Sequence, residues 1–217
     1  MAVPSNLART WRSIDQAMPC YAFQGIVPVV DPTSFVHPLA SLVGDVIVGP
    51  ECYIGPGASL RGDFGRIVIE GQCSIQDNAT VHVSSERDTL IRAGATIAHG
   101  AVIHGCEIGE DVLVGINAVV LDRAIVEKQS LVAALATVGF GTAAPPRSLL
   151  AGNPAAIVRT FAEEEIAWGR GVDDSYARLT REALASLAET TPLPAPESDR
   201  ARTTIKAAPV RPRKLFS

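Results

Sequence analysis

The sequence predicts a mainly β fold, a parallel β-helix followed by a C-terminal α-helix, from two patterns. An aliphatic residue recurs at every sixth position along most of the chain, and a small residue often stands two positions before it. Such a repeat is typical of a solenoid, in which each unit buries its apolar face against its neighbours. Apolar residues at helical spacing follow the repeat towards the C-terminus and predict the helix.

The six-residue period runs through the central part of the chain. Its aliphatic positions are Val36, Leu42, Val48, Ile54, Leu60, Ile69, Ile75, Val81, Ile91, Ile97, Ile103, Ile108, Val114, Val120, Val126, Val132 and Val138. Three units make one triangular coil of about 18 residues, and successive coils stack at strand spacing, roughly 4.8 Å. The period gains residues at 61–66 and 84–88, where we expect loops at the corners of the coil.

The pattern divides the chain into four segments. They are an N-terminal extension (1–20), the β-helix domain (21–159), a helical segment (160–189) and a Pro-rich, basic, flexible tail (190–217). In the helical segment, Thr160 and Glu163 have the spacing of a capping box. Four apolar residues there share one helical face, which predicts packing against the β-helix or a neighbouring subunit. They are Tyr176, Leu179, Ala183 and Leu187.

Composition narrows the classes of function. The 217 residues carry a formal net charge of -4, and no basic run interleaved with aromatics precedes the tail, so a nucleic-acid partner is not expected. No stretch of about eighteen apolar residues predicts a membrane span, and the N-terminus lacks the apolar run of a signal peptide. We therefore expect a cytoplasmic protein that acts on a small molecule. Its four cysteines lack zinc-like spacing and are expected to be reduced core thiols.

Two histidines fall into one column of the predicted coil. Leu60, Val81 and Ile103 stack on three successive coils, so the residues that follow them, Arg61, His82 and His104, are stacked as well. His82 and His104 can therefore reach one metal ion from one face. A lone histidine on an apolar element is usually structural, and we interpret His37 in that way.

A third histidine, His99, lies with Gln76 on the adjacent face of the predicted coil. Because two faces of a triangular prism diverge, His99 cannot readily reach a metal held by His82 and His104 of its own chain. If three chains associate around a threefold axis, His99 can complete the site of the neighbouring chain. Three neutral imidazoles with an open fourth position are typical of catalytic zinc, although Fe²⁺ and Co²⁺ accept the same ligands.

Three polar residues near these histidines, Arg61, Asp63 and Gln76, can have either a role at the metal site or an ordinary structural role. Asp63 can orient Arg61 through a charge-assisted bond, or the two can form an ordinary surface salt bridge. Gln76 can bond to water at a metal, although a polar residue on a solenoid face needs no special role.

The segments SFVHPLASLVGDVIVGPECYIGPGASLRGDFGRIVIE, IQDNATVH, AHGAVIHGCEIG and LVGINAVVL resemble the gamma-class carbonic anhydrase group of hexapeptide-repeat proteins. The resemblance is greatest to its phenylacetic acid degradation (PaaY) and carnitine operon branch. It implies a left-handed β-helix and a homotrimer with zinc sites between subunits. The implied ligands are His82, His104 and, from the adjacent subunit, His99. Arg61 and Asp63 would form a salt bridge at the interface, and Gln76 would lie beside the metal-bound water.

The resemblance implies hydration of carbon dioxide by metal-activated water. Alternatives are metal-dependent hydrolysis of (hydroxy)phenylacetyl-coenzyme A-like thioesters, coenzyme A-dependent acyl transfer, and a non-enzymatic trimeric scaffold. The sequence departs from the archetypal enzyme where proton-transferring glutamates are expected. Phe64 takes the place of one of them, and the short loop VSSERDT offers only Glu86 or Asp88. Since proton transfer needs such a relay, fast hydration is the property that this departure affects most.

Overall fold

Short β-strands wind into a three-sided solenoid in the computed structural model, which describes residues 19–171, 174–203 and 205. The strands of the described residues are β1 Cys20–Tyr21, β2 Val29–Val30, β3 Phe35–Val36, β4 Ser41–Val48, β5 Tyr53–Ile54, β6 Ser59–Ile69, β7 Ser74–Ile75, β8 Thr80–His82, β9 Thr89–Ile91, β10 Thr96–Ile97, β11 Val102–His104, β12 Glu107–Ile108, β13 Leu113–Val114, β14 Val119–Val120, β15 Ile125–Val126, β16 Leu131–Val132, β17 Thr137–Val138, β18 Ala143–Ala144, β19 Ser148–Gly152 and β20 Ala155–Thr160. A single α-helix, α1 Ser175–Ser186, follows them within the described residues. This confirms the predicted mainly β solenoid with a C-terminal helix.

Strands on successive coils pair in parallel and form three columns. One column runs β3, β5, β7, β10, β13, β16 and β19; the second runs β6, β8, β11, β14 and β17; the third runs β6, β9, β12, β15 and β18. The long strands β4 and β6 turn a corner together and so join two of the faces. Every aliphatic position of the predicted period is at most 2% exposed. The repeat therefore supplies the core, because each coil buries its inward residues on the coils above and below.

One of the two predicted corner loops is wrong. Residues 61–66 lie inside the continuous strand β6, which pairs with β4 on both sides of an irregularity. Gly44 pairs with Gly62 and Val46 with Ile67, so the extra residues of β6 bulge opposite Asp45. Pairing with β4 satisfies the backbone on both sides, which keeps the segment extended. The second prediction, at 84–88, is confirmed as a turn closed by a bridge between Ser84 and Arg87.

The predicted helix cap at Thr160 is wrong, whereas α1 begins directly after Asp174. Thr160 is not a helix cap, because it pairs with Ser148 in the antiparallel hairpin of β19 and β20. A 3₁₀ helix, Glu163–Glu165, follows, and the Glu165 carboxylate accepts a hydrogen bond from the Ala162 backbone N–H at 2.8 Å. The last sheet pairing thus keeps Thr160 in a strand, and the first helical turn begins at Glu163.

The predicted face of α1 packs on the solenoid. Ala183 is buried in a small cluster with Phe35 and Tyr53, and Tyr176 and Leu179 pack against the same cluster. The Tyr53 and Tyr176 rings lie 5.3 Å apart. The helix therefore covers the first coils of one face. Leu187, the fourth predicted residue of this face, lies just beyond the end of the helix.

Residues 1–18, 172–173, 204 and 206–217 lie outside the described residues. The predicted N-terminal extension, except its last two residues, and the end of the predicted tail therefore stay predictions. None of the helices in the described ranges has the length and apolar character that a membrane crossing requires.

Candidate metal centre

Parallel pairing brings three polar side chains into one column, at the ends of β8 and β11 and near the start of β6. Arg61 is the register partner of His82, and His82 is the register partner of His104. Leu60, Val81 and Ile103, which precede them, are all buried. The inward residues of the repeat thus fix the alignment of the polar residues that follow, as the spacing predicts.

The two imidazoles of this column face each other. His82 Nδ1 lies 3.0 Å from His104 Nε2, and the ring planes are inclined at 57°. The remaining nitrogen of each ring is held by a carboxylate. His82 Nε2 lies 3.0 Å from Asp63 Oδ1, and His104 Nδ1 lies 2.9 Å from Asp122 Oδ2. All four side chains therefore form one continuous chain of polar contacts.

The chemistry of these donors fits a bound cation. An ionised carboxylate only accepts hydrogen bonds, so Asp63 and Asp122 can each accept an N–H from the neighbouring imidazole. The two nitrogens that face each other then both present lone pairs, and such an arrangement is stable only with a proton or a metal ion between them. Two nitrogen ligands of tetrahedral zinc, with bonds of roughly 2.0–2.1 Å, lie about 3.3 Å apart. The observed separation of 3.0 Å is close to that requirement.

Asp63 has two partners. Its Oδ2 atom accepts a hydrogen bond from Arg61 Nη1, and its Oδ1 atom faces His82. Burial opposes ionisation of this carboxyl, but the hydrogen bonds from His82 and Arg61 outweigh burial and lower its pKa. The predicted contact between Arg61 and Asp63 is therefore present within a single chain, and it ties Arg61 to the histidine pair.

The bulge of β6 also places Phe64 against the pair. Its ring centroid lies 5.6 Å from that of His82, and the residue is 63% exposed. Glu86 and Asp88, the two carboxylates of the short loop, have other partners. Glu86 pairs with Arg123, and Asp88 accepts a hydrogen bond from the Arg66 backbone N–H at 3.2 Å. Within the described residues, neither carboxylate forms a hydrogen bond with His82 or His104.

Gln76 and His99 lie on a different face and line a cavity of about 650 Å³, together with Trp168 and Tyr176. The Gln76 side chain is buried, whereas His99 is partly exposed with its Nδ1 atom 3.4 Å from Asp77 Oδ2. Neither His82 nor His104 lines this cavity.

A single chain does not assemble the whole predicted site. Across residues 19–171, 174–203 and 205, no three histidine, cysteine, aspartate or glutamate side chains lie close enough together to hold a metal ion. The predicted residues form two groups. Arg61, Asp63, His82 and His104 are together, and Gln76 and His99 are together on the other face. The predicted ligands therefore do not meet within one chain.

His37 lies apart from both groups. Its Nδ1 atom accepts a hydrogen bond from the Leu39 backbone N–H at 3.1 Å, and its ring contacts Phe35 edge-on. Burial lowers its pKa, although the charge of Asp77 opposes this. These contacts agree with the structural role predicted for it.

The sequence reasoning missed Asp122. Ile103 is the register partner of Val120, so Asp122 stands one coil beyond His104 and one position further along. Gly105 leaves room for its carboxylate, because a Cβ atom at Gly105 would lie 2.4 Å from Asp122 Oδ1. A search for carboxylates one coil away from each histidine would have found this residue.

Comparisons with known proteins place the chain in a family. No protein-family model matches the chain. It is 45% identical over 185 residues to the carnitine operon protein CaiE of Proteus sp. (strain LE138), a match that covers 85% of this chain and 94% of that protein. It is 46% identical, with the same coverage, to CaiE of Escherichia coli K12.

Two solved structures share the fold. One is a hexapeptide transferase family protein from Anaplasma phagocytophilum, with 34% identity and a TM-score of 0.71 over 76% of this chain and 97% of that chain. The other is a putative acetyltransferase from Bacillus cereus, with 25% identity and a TM-score of 0.68 over 76% and 92% of the two chains. The repeat, the fold and these similarities together show that the chain belongs to the hexapeptide-repeat family, in the branch of the carnitine operon protein CaiE.

Proposed function

We propose that the protein is a homotrimeric, metal-dependent enzyme of the gamma-carbonic-anhydrase type, with three sites between subunits, and that it hydrates carbon dioxide. The observation that carries this proposal is the facing pair of imidazole nitrogens, each ring held by a carboxylate on its far side. Metal-binding histidines generally donate their second N–H to such an acceptor, which fixes the ring and its tautomer. When both carboxylates accept an N–H, the two facing nitrogens present the lone pairs that a shared metal ion needs.

The ligands would come from two chains. His82 and His104 of one subunit would bind Zn²⁺, or Fe²⁺ or Co²⁺, together with His99 of the adjacent subunit. When bound, the metal supplies Lewis-acid chemistry that makes water nucleophilic near neutral pH. The exposure of His99 on a face separate from the pair supports a threefold assembly, since heterologous contacts that close into a ring place different faces of the chain against each other.

The other residues would position these ligands and the substrate. Asp63 keeps the His82 ring in place, and Arg61 holds Asp63 ionised. Gln76, in the same cavity as His99, would orient the attacking water or the substrate by hydrogen bonding. Because Phe64 stands against His82 and the loop carboxylates are paired elsewhere, proton removal would be slow. We therefore expect turnover well below that of an enzyme with a carboxylate relay.

The cavity favours a second candidate, an activity on acyl-coenzyme A. A volume of about 650 Å³ is far more than carbon dioxide needs and lies within the range of sites for larger molecules. The names of the two solved structures, a transferase family protein and a putative acetyltransferase, point the same way. Hydrolysis of a thioester would use the same histidines. Acyl transfer generally needs one histidine as a general base, and two histidines backed by two carboxylates exceed that need.

One assay distinguishes these candidates. A trimer with measured metal content is tested for carbon dioxide hydration by stopped flow and for hydrolysis of a hydroxyphenylacetyl-coenzyme A panel, beside a sample stripped by a chelator. We expect hydration that disappears with the metal and returns when the metal is restored. Metal-dependent thioester cleavage without hydration would support the second candidate instead. Activity that is equal in the stripped sample would contradict a metal-dependent enzyme of either kind.

A further inference from the structure

We propose that Asp122 is the positioning residue for His104, holding its Nδ1–H so that Nε2 is the nitrogen presented to the metal. The inference rests on the proposed function and deepens it. Nothing in the six-residue repeat requires an acidic side chain at this corner. The Asp122 carboxylate nevertheless lies 2.9 Å from His104 Nδ1, a distance that suits a charge-assisted hydrogen bond.

The backbone around Asp122 holds its carboxylate close to His104. The Arg123 backbone N–H donates to the Gly105 carbonyl at 2.8 Å, which ties the Asp122 corner to the residue after His104. Gly105 has a φ angle of +55°, and a Cβ atom there would collide with Asp122 Oδ1. Any other residue at Gly105 would displace the carboxylate, so the glycine and Asp122 act together.

The charge of Asp122 is directed to His104 rather than to the neighbouring arginine. Arg123 pairs with Glu86, and its guanidinium lies 5.2 Å from the centre of the Phe140 ring. The carboxylate is about one-quarter exposed, so water screens it only in part. An acceptor at this position favours the tautomer with the proton on Nδ1, which leaves the lone pair of Nε2 free for a metal ion.

This role differs from that of Asp63. The Asp63 carboxylate is divided between His82 and Arg61, so its replacement would disturb an ion pair as well as a histidine. Within the described residues, the Asp122 carboxylate pairs with one ionisable side chain, that of His104. Its replacement therefore tests the support of a single ligand.

The test compares two variants of Asp122 with a matched control in the full-length trimer. Asp122→Ala removes the acceptor, Asp122→Asn keeps a neutral acceptor of the same shape, and Glu127→Gln removes an exposed carboxylate five residues away. Zn²⁺ affinity is measured by competition with a chromophoric chelator, and the visible spectrum of the Co²⁺-substituted protein reports the ligand geometry. Size-exclusion chromatography and thermal unfolding verify that each variant forms the trimer.

We expect Asp122→Ala to weaken Zn²⁺ binding by roughly 10- to 100-fold, the range typical of lost support behind a ligand. Asp122→Asn should fall between that variant and the unmodified protein, with an altered Co²⁺ spectrum, and Glu127→Gln should bind as the unmodified protein does. Unchanged affinity and spectrum in both Asp122 variants would overturn the inference and leave the metal site intact. If the unmodified trimer itself binds no metal, the proposed function fails, and this inference fails with it.

Discussion

Replacement of His82 or His104 by alanine is expected to abolish metal binding by the protein. Either change leaves at most two imidazoles at each site. The His82 variant also deprives Asp63 of its imidazole partner, and the His104 variant does the same to Asp122. Zinc sites of the catalytic type generally need three protein ligands. The measurement is metal content by mass spectrometry after dialysis against a metal-buffered solution, where the unmodified protein should hold one ion per chain.

His37→Ala is the matched control for this prediction. It removes an imidazole of the same chain, but one whose contacts are with the Leu39 backbone and the Phe35 ring. This variant should retain its full metal content. Full retention in His82→Ala or His104→Ala would show that the facing pair is not a metal site. Loss in His37→Ala alone would place the metal elsewhere in the chain.

The second large effect concerns the solenoid core. Ile69→Ala should lower the free energy of unfolding by about 2–5 kcal/mol, because it opens a cavity in a close-packed interior. Ile69 is 1% exposed and is stacked between Val48 and Ile91 of the adjacent coils. Urea unfolding of the metal-saturated protein at a fixed concentration measures the change.

Ile157→Ala controls for the loss of the same atoms at a less buried position. Ile157 lies on the antiparallel strand β20 and is 46% exposed, so its truncation should cost clearly less than that of Ile69. Equal losses in the two variants would contradict the conclusion that the inward column carries the stability of the fold.

Much of the fold could be predicted because one period specifies both burial and stacking. A residue such as Ile97 is inward and also aligned with Ile75 and Val114, so one pattern gives the core and the register. The period says nothing about the corners, where extra residues can leave the coil or stay in it. The 61–66 segment stays in strand β6 because β4 offers a long parallel partner, and this pairing is not visible in the local sequence.

The candidate site could be predicted only in part for a related reason. The register aligned Arg61, His82 and His104, but it does not give the directions of side chains that extend from different corners. The contact between Asp122 and His104 depends on the space left by Gly105, which is a property of the three-dimensional corner. The wrong helix cap at Thr160 has the same origin, because the hairpin with β19 holds this residue in a strand.

The central claim is that each metal site is shared between two subunits, and mixed trimers test it most directly. Chains carrying His99→Ala and chains carrying His82→Ala are each expected to form trimers without metal. The two chains are co-expressed in equal amounts with distinct tags. An interface is then intact only if the His99→Ala chain supplies His82 and His104 and the His82→Ala chain supplies His99.

Native mass spectrometry verifies the mixing, and metal analysis measures the outcome. Since each of the two positions at an interface is filled by the required chain half of the time, random assembly should restore about a quarter of the metal content of the unmodified trimer. Metal-free mixed trimers, or a His99→Ala homotrimer with its full complement of metal, would contradict a site shared between subunits.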